Sequence, residues 1–155
     1  MPMPVAAAPA PVFVPTGTLA GDPVGLTGDL ARARAALHEA WGTREPDERF
    51  LAGHLVALRV AAVVLASGAR PGRVRRPRNA WRAVTEAVPA LAGWASVFAA
   101  TESQRDAVRA GATGVVSAVE ADHLVRATES FLDVVDQVLS AGPQPAATSG
   151  REVRR

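Results

Sequence analysis

The sequence predicts an all-α fold, an antiparallel bundle of about five helices between disordered N- and C-terminal tails. Three observations predict this fold. Apolar residues in the central part recur at steps of three and four residues, and almost nowhere do they alternate as in a strand. Glycine or proline separates these periodic segments. The length of 155 residues suits one domain that buries a core.

The two ends of the chain lack this periodicity. Residues 1–26 are rich in Pro and Ala, and residues 142–155, "GPQPAATSGREVRR", are similar but end in basic residues. Segments of this composition do not bury enough apolar surface to fold. We therefore expect disordered tails at 1–26 and 142–155, with the helical bundle at 27–141.

The first two helices form the N-terminal part of the predicted bundle. The first is expected near residues 29–41, with Gly42 ending it, and it presents the apolar stripe Leu30, Ala33, Leu37 and Trp41. The second is expected from Asp47, as N-cap, to Ser67, because Pro46 blocks extension upstream and Gly68 follows. Its core face is predicted to be the leucine-rich stripe Leu51, Leu55, Leu58, Ala62 and Leu65, although apolar residues on its other sides indicate burial all round.

Three more helices complete the prediction. Asn79 caps a short third helix that carries Trp81, Val84 and Val88. Pro89 opens a fourth helix that extends to Ala110, with an inward set of Leu91, Trp94 and either Val97 or Phe98. Ser117 and Glu120 form a capping box at the start of the fifth. Its seam steps by three and four residues through Ala121, Leu124, Thr128, Phe131, Val135 and Val138.

The positive charges are concentrated in two places. The stretch 69–82, "ARPGRVRRPRNAWR", carries six arginines, and the C-terminal "REVRR" carries three more. Without these two stretches the chain has eight arginines against fourteen acidic residues, although its formal charge is +2. Lysine is absent, so every fixed cation is a guanidinium, the group that best binds phosphate bidentately. This uneven distribution of charge indicates which partners the protein attracts, and it does not indicate the fold.

Several chemistries lack the residues they need. The three histidines, His38, His54 and His123, are far apart, and no cysteine or lysine accompanies them, so we expect no metal site, no phosphate-binding lysine loop and no cofactor. We interpret His38 and His54 as residues at the edge of the apolar stripes, hydrogen-bonded to a neighbour or to water, and His123 as solvated. The three tryptophans lie on the predicted core stripes and are interpreted as packing residues.

The composition also bears on location. The N-terminus lacks the basic start of a signal peptide, and the aliphatic run at residues 60–66 is much shorter than the ~20 residues of a membrane span. The absence of cysteine favours the cytosol. We therefore expect a cytoplasmic protein without a membrane partner.

Two passages together resemble a known family. "ERFLAGHLVALRVAAVVLASGARPGRVRRPRNAWRAV" and "EADHLVRATESFLDVVDQVL" are similar to HEPN domains (higher eukaryotes and prokaryotes nucleotide-binding), and most of all to an Arg-rich actinobacterial branch. The similarity covers residues 29–139 and rests on a small-residue-rich helix, a basic loop, a short helix and a long amphipathic last helix. It implies an HEPN-like bundle, often dimeric, that occurs with nucleotide transferases, toxin–antitoxin systems and RNA metabolism.

The resemblance also implies a catalytic motif to test. Many HEPN members are metal-independent endoribonucleases in which Arg, a polar residue and, after four to six intervening positions, His act on the phosphate and the 2′-hydroxyl across a dimer cleft. Arg78 and Asn79 begin such a motif here, but Ala83, Val84 and Thr85 occupy the positions for His. None of these side chains transfers a proton. We therefore predict no catalytic residue at this place.

Two other pairs have the motif's spacing. Arg49 precedes His54 by five residues and Arg32 precedes His38 by six, and an apolar residue follows both arginines. Steps of five and six residues turn about 140° and 240° around a helix, so neither pair shares a face. Endoribonuclease activity stays as the less favoured alternative.

The arginine-rich segment is the predicted site. Its candidate phosphate-binding residues are Arg70, Arg73, Arg75, Arg76, Arg78, Asn79 and Arg82. Guanidinium forks bind phosphate, and a helix N-terminus after Asn79 adds backbone donors. Two alternatives are open: pairing with carboxylates of the same molecule or of a second subunit, and plain solubility.

Two classes of function follow from these alternatives. The favoured one is a non-catalytic HEPN-like domain that binds RNA or nucleotide phosphates. The other is a protein-interaction module that dimerises through a helix face and binds a protein encoded nearby. We expect a homodimer in either case.

Overall fold

The computed structural model describes residues 23–68 and 79–141, and within these ranges it contains helices and no strand. The all-α prediction is confirmed. The six α-helices are α1 (Pro23–Gly42), α2 (Pro46–Ser67), α3 (Ala80–Ala87), α4 (Ala92–Ala99), α5 (Glu102–Arg109) and α6 (Ala118–Ser140). The tails predicted at 1–26 and 142–155 lie almost wholly outside the described residues, as do residues 69–78.

Helix α1 packs antiparallel to α6. It begins at Pro23, six residues before the predicted start at Asp29, and its predicted stripe faces the core, with Trp41 half-buried. Arg34 reaches Asp133 of α6 at 2.9 Å, whereas the guanidinium of Arg126 lies 5.8 Å from the Trp41 ring centre. These two contacts, one near the middle of α1 and one near its C-terminal end, fix the direction of the two helices.

Helices α2 and α6 run in the same direction and approach most closely at Gly53. A Cβ atom built on Gly53 would lie 2.9 Å from Val125 Cγ2. The Thr128 hydroxyl donates to the Gly53 carbonyl at 3.3 Å, as well as to Leu124 O at 2.9 Å. Glycine is therefore the residue that fits here without displacing Val125. Helices α2 and α6 form the centre of the core.

The first turn of α2 holds the connection into α6. Asp47 does not cap α2, since Glu45 occupies the N-cap position and makes no side-chain hydrogen bond there. Instead the Asp47 carboxylate accepts from the amides of Gly114 at 2.9 Å and Val116 at 3.1 Å. The predicted role of Asp47 is thus wrong, because a distant segment with Gly114 at a positive φ of 68° brings two amides to it.

The predicted core face of α2 is also wrong. Leu55 is 50% exposed, Ala62 is exposed, and Leu51, Leu58 and Leu65 are only half-buried. The buried face consists of Phe50, Gly53, His54, Val56, Ala57, Val60, Ala61, Val63, Val64 and Ser67. Small and β-branched residues face inward because α1 and α6 both pack closely against this side, which leaves the bulkier leucines outside.

Helix α2 also has the length and composition of a membrane span. Among the described helices it alone is long and apolar enough, with a mean hydropathy of 1.9. Within that apolar stretch, 56% of the residues are buried inside the bundle, as in the core helix of a globular domain.

The segment from α3 to α5 differs from the prediction in one respect. The Asn79 cap and the buried residues Trp81 and Val84 are confirmed. The predicted single fourth helix is instead a 3-10 turn at Pro89–Leu91 followed by α4 and α5. The interruption follows α4, where both the amide and the hydroxyl of Thr101 donate to Phe98 O, at 3.1 and 2.8 Å.

The inward residues of α4 resolve the alternative left open by the sequence. Leu91, Trp94 and Phe98 are buried, and Val97 is half-buried. Helix α5 contains no buried residue, in keeping with its polar sequence.

Helix α6 matches its prediction. Ser117 Oγ accepts from the Glu120 amide at 3.1 Å, and Glu120 Oε2 accepts from the Ser117 amide at 2.8 Å. This hydrogen bond from Ser117 lowers the pKa of Glu120. All residues of the predicted seam are buried except Val138, which is half-buried.

Candidate anion-binding site at the start of α3

The structure describes two of the seven predicted phosphate-binding residues, Asn79 and Arg82. The other five, Arg70, Arg73, Arg75, Arg76 and Arg78, lie outside the described residues. The segment that carries them starts after Gly68, at the end of α2, and ends at Asn79, at the start of α3. Both of these flanking residues are exposed, so the chain leaves and re-enters the bundle at its surface.

Asn79 is occupied by its capping role. Its Oδ1 accepts from the amides of Trp81 at 2.9 Å and Arg82 at 3.2 Å. Two of the amides at the start of α3 that have no partner within the helix are therefore already bonded. Fewer backbone amides are left there to donate to a phosphate than the sequence predicts. The amide nitrogen of the Asn79 side chain is the donor that this residue still offers.

Arg82 is exposed and makes an ion pair within its own helix. Its Nε lies 3.0 Å from Glu86 Oε1, one helical turn later, and the two side chains are 81% and 66% exposed. An ion pair this exposed contributes little stability, about 0.3–0.5 kcal/mol for the helical spacing. Phosphate oxygens can therefore replace Glu86 at small cost.

A shallow depression lies beside these residues, between α3 and α4. Its volume is about 200 Å³, and its lining includes Asn79, Arg82, Thr85 and Ser96, with Trp81 beneath. This is below the ~300–1,000 Å³ of pockets that enclose a small molecule. The surface thus fits contact with phosphate groups of an extended ligand better than enclosure of a nucleotide.

The sequence prediction for His54 is wrong, because this residue is fully buried rather than at the edge of the apolar stripe. Its ring lies 6.2 Å from Phe50, 6.1 Å from Trp81 and 6.4 Å from Phe98, measured between ring centres. Neither ring nitrogen has a well-formed hydrogen bond among the described residues. Burial lowers the pKa of His54, and the nearby positive charge of Arg105 lowers it further, so the ring is neutral at pH 7.

The side chains of Arg49 and His54 have different partners. Arg49 Nε lies 3.1 Å from Asp122 Oδ1, and its Nη1 donates to Thr43 O at 2.8 Å. The guanidinium thereby joins the α1–α2 connection to α6, while the imidazole points among aromatic rings. The two residues have the spacing of the motif in sequence, but their side chains do not line a shared cleft.

Arg32 and His38 both lie on the exposed surface of α1. Arg32 makes an ion pair with Asp29. Since the two residues are about 240° apart around the helix, they do not approach one substrate from the same side. His123 is exposed on α6, as predicted.

Sequence reasoning missed the roles of Asp47, which bonds to the distant backbone amides of Gly114 and Val116, and of Arg49, which pairs with the distant carboxylate of Asp122. No local pattern marks such residues, since their partners are 67 to 73 positions away. No group of three His, Asp or Glu side chains within 23–68 and 79–141 has the arrangement of a metal site.

The described residues are acidic overall, and more than half of their arginines are paired with carboxylates. These residues include nine arginines and thirteen acidic residues, a net charge of −4. Five of the nine arginines, Arg32, Arg34, Arg49, Arg82 and Arg105, make ion pairs with carboxylates. The remaining parts of the chain carry eight arginines and two acidic residues, a net charge of +6.

The comparisons with known proteins gave one match. No curated protein and no solved structure matched the chain. A family model described as HEPN_SAV_6107-like HEPN matched residues 40–136, from the last turn of α1 to near the end of α6. The match covers well over half of the chain, and the chain therefore belongs to the HEPN family.

Proposed function

We propose that this HEPN domain is a non-catalytic module that binds the phosphates of RNA or of a nucleotide through the arginine-rich segment 69–82. One observation carries the proposal: the bundle is acidic and pairs five of its nine described arginines internally, whereas five arginines are gathered between two exposed helix ends. A cluster of this kind on an otherwise acidic body attracts an anion locally.

Single-stranded RNA is the ligand that these features favour. The depression beside α3 is too small to enclose a nucleotide, and its exposed polar rim allows contact along a chain of phosphates. Guanidinium groups at several successive positions match a repeating anion better than a single one. The exposed ion pair of Arg82 can also open toward such a ligand.

The positions of the histidines support the non-catalytic part of the proposal. His54 is enclosed by aromatic rings, and its lowered pKa keeps it neutral. His38 and His123 are exposed but lie on helices other than α3. A general acid or base must reach its substrate, and the fully buried ring of His54 is enclosed away from the surface.

The biological context is proposed from the same features. The use of arginine for every fixed cation supports an Arg-rich actinobacterial branch of the family. The absence of cysteine and the core position of α2 support a cytoplasmic protein.

The test is salt-dependent RNA binding, measured by fluorescence anisotropy with a single-stranded oligonucleotide. Each phosphate contact contributes a slope of about −0.7 to the dependence of log K on log salt. Four to six contacts therefore predict a slope of about −3 to −4 between about 50 and 200 mM salt. The quadruple variant Arg73→Ala, Arg75→Ala, Arg76→Ala, Arg78→Ala is expected to lose most of this slope and most of the affinity.

A matched control separates a site from net charge. The triple variant Arg151→Ala, Arg154→Ala, Arg155→Ala removes three cations from the C-terminus and is expected to bind nearly as tightly as the unchanged chain. Equal losses in both variants would mean that only total charge matters. RNA cleavage that disappears in His54→Ala or His38→Ala would contradict the non-catalytic assignment.

One observation favours the second candidate, an interaction module. Helix α2 exposes an apolar face on which Leu55 is half exposed. If RNA binding is weak and does not change in the quadruple variant, the interaction module becomes the favoured function. Its expected partner is then a protein encoded nearby.

A further inference from the structure

We propose that α5 is a lid over the buried His54, and that protonation of this imidazole opens the lid while α1, α2 and α6 stay packed together. The lid, as the term is used below, comprises α5 (Glu102–Arg109) and residues 110–113. The proposal does not depend on what the arginine-rich segment binds.

Helix α5 is held to the bundle by few contacts. It is the only described helix without a buried residue, and it packs against α2. Val108 lies half-buried against the core, and among the described residues one side-chain hydrogen bond joins α5 to another helix, from Gln104 Nε2 to Glu120 Oε1 at 3.4 Å. A helix of eight residues is not stable in water by itself. The lid therefore belongs to the parts of a fold that open most easily.

Both ends of the lid are fixed to the rest of the bundle. Before it, the amide and the hydroxyl of Thr101 donate to Phe98 O at 3.1 and 2.8 Å. After it, the carboxylate of Asp47 accepts from the amides of Gly114 and Val116. Opening is thus confined to the residues between these two attachments.

His54 lies in a place that suits the neutral ring alone. It is fully buried, and the rings of Phe50, Trp81 and Phe98 surround it with centres 6.1 to 6.4 Å away. Neither imidazole nitrogen has a well-formed hydrogen bond among the described residues, and the nearby Trp81 Nε1 is a donor without a partner as well. An imidazolium has two N–H donors that both need an acceptor. The closed bundle offers none to it.

The charges that act on the imidazole belong to the lid itself. Among the described residues these are Arg105 and Asp106. The Arg105 side chain is only 20% exposed, and its Nη2 lies 3.3 Å from Oδ1 of Asp106, which is 66% exposed. Burial lowers the pKa of His54, Arg105 lowers it further, and Asp106 offsets a part of this. Protonation thus places a second cation beneath the cation of the lid.

The other elements around the imidazole do not compensate its charge. Helices α3 and α4 contribute aromatic rings. On the side of α6, the Thr128 hydroxyl donates to the carbonyl of Gly53, next to His54. Arg49, on α2 as well, is paired with Asp122. The lid is therefore the element that protonation displaces.

The size of the effect follows from proton linkage. In the open state the imidazole is in water and regains its ordinary pKa of about 6.5, so below this pH the open state binds more protons than the closed state. The opening constant then rises as the pH falls, by at most tenfold per pH unit. Between pH 7 and pH 5.5 we expect a severalfold rise, with an upper limit of about eightfold.

Amide hydrogen exchange of the full chain, followed by NMR at pH 7 and pH 5.5 and corrected for the intrinsic exchange rates, measures this constant. Amides of α5 are expected to show larger opening constants than amides of α6 at both pH values, and to respond little to low concentrations of urea. Identical constants in α5 and α6 would mean that the whole bundle unfolds at once. That result, or a change of less than about twofold between the two pH values, would overturn the proposal.

Three variants assign the effect to His54 and Arg105. His54→Leu is expected to abolish the pH dependence of α5 opening, whereas His38→Leu, at an exposed position of α1, is the control that keeps it. Arg105→Gln removes the cation of the lid, so the pKa of His54 rises toward 6.5 and the rise in opening becomes smaller. An unchanged pH dependence in His54→Leu contradicts the lid. If that variant does not fold, as judged by circular dichroism, an unchanged pH dependence in Arg105→Gln does so instead.

Discussion

Both faces of α2 are apolar, but one is buried inside the bundle and the other lies at its surface. The inner face combines Phe50, Gly53, His54 and several valines, all buried, whereas the outer face carries leucines that are half-buried or exposed. The close approach of α6 at Gly53 decides which face is inside, because small and β-branched residues fit there and a row of leucines does not. For a helix that is apolar on all sides, shape and not hydrophobicity thus selects the buried face.

The two faces are expected to differ most in how much stability is lost when a large apolar side chain is truncated to alanine. Phe50 is 1% exposed, and Phe50→Ala is expected to destabilise the fold by about 3–5 kcal/mol. Leu55→Ala, five residues along the same helix, is expected to cost less than about 1 kcal/mol, measured by urea denaturation at low protein concentration. Equal losses at the two positions would mean that α2 is rotated relative to this description.

The closest point of the inner face gives a second test. Gly53→Ala places a Cβ atom 2.9 Å from Val125 Cγ2, so α2 and α6 must separate, at an expected cost of about 1–3 kcal/mol. Gly42→Ala is the control, since a Cβ there meets nothing within 4 Å. Its thermal unfolding midpoint is expected to stay the same or rise slightly. A neutral Gly53→Ala would contradict the tight packing of these two helices.

His54 makes the inner face sensitive to pH. Its pKa in the folded state is below the ordinary value of 6.5, so the unfolded chain binds more protons below that pH. The contribution of neutral His54 to the free energy of unfolding is fully present above pH 6.5. It is lost as the pH falls toward the pKa of the folded state, and the free energy of unfolding then decreases by at most about 1.4 kcal/mol per pH unit.

The measurement is the free energy of unfolding between about pH 7 and pH 5.5, above the range in which most carboxylates titrate. His54→Leu removes the titrating group and is expected to flatten the profile. A profile with the same slope in both proteins would assign the pH dependence to other groups.

The smallest expected effect concerns the connection that α2 makes with residues 114–116. Asp47→Asn keeps one acceptor for the amides of Gly114 and Val116 but loses the charge, so we expect a loss of about 1 kcal/mol. The same change at an exposed carboxylate of α1, Glu39→Gln, is expected to leave the unfolding midpoint unchanged. Amide hydrogen exchange at Gly114 should accelerate in the first variant and not in the second.

The parts of the fold that the sequence predicted correctly depend on local interactions. The Ser117–Glu120 capping box and the Asn79 cap form within three residues, and the α6 seam is a strict periodicity. The orientation of α2 depends on neighbours distant in sequence, above all on α6 at Gly53. A helix with apolar residues on every side contains no periodic signal that selects one face.

The site was predictable to a smaller extent. The clustering of arginines is visible in the sequence, as is the role of Asn79 as a cap. The full burial of His54 results from aromatic residues on α3 and α4 that fold around it, and the pairing of Arg82 with Glu86 competes with ligand binding in a way that composition does not show.

The two helix ends that border the arginine-rich segment are each completed by their own residues. The Gly68 amide donates to Val64 O at 3.2 Å, and Asn79 closes α3 with its own side chain. The end of α2 and the start of α3 therefore do not need a hydrogen bond from the residues between them, and an affinity peptide or a fluorescent reporter inserted there is expected to leave both helix ends intact.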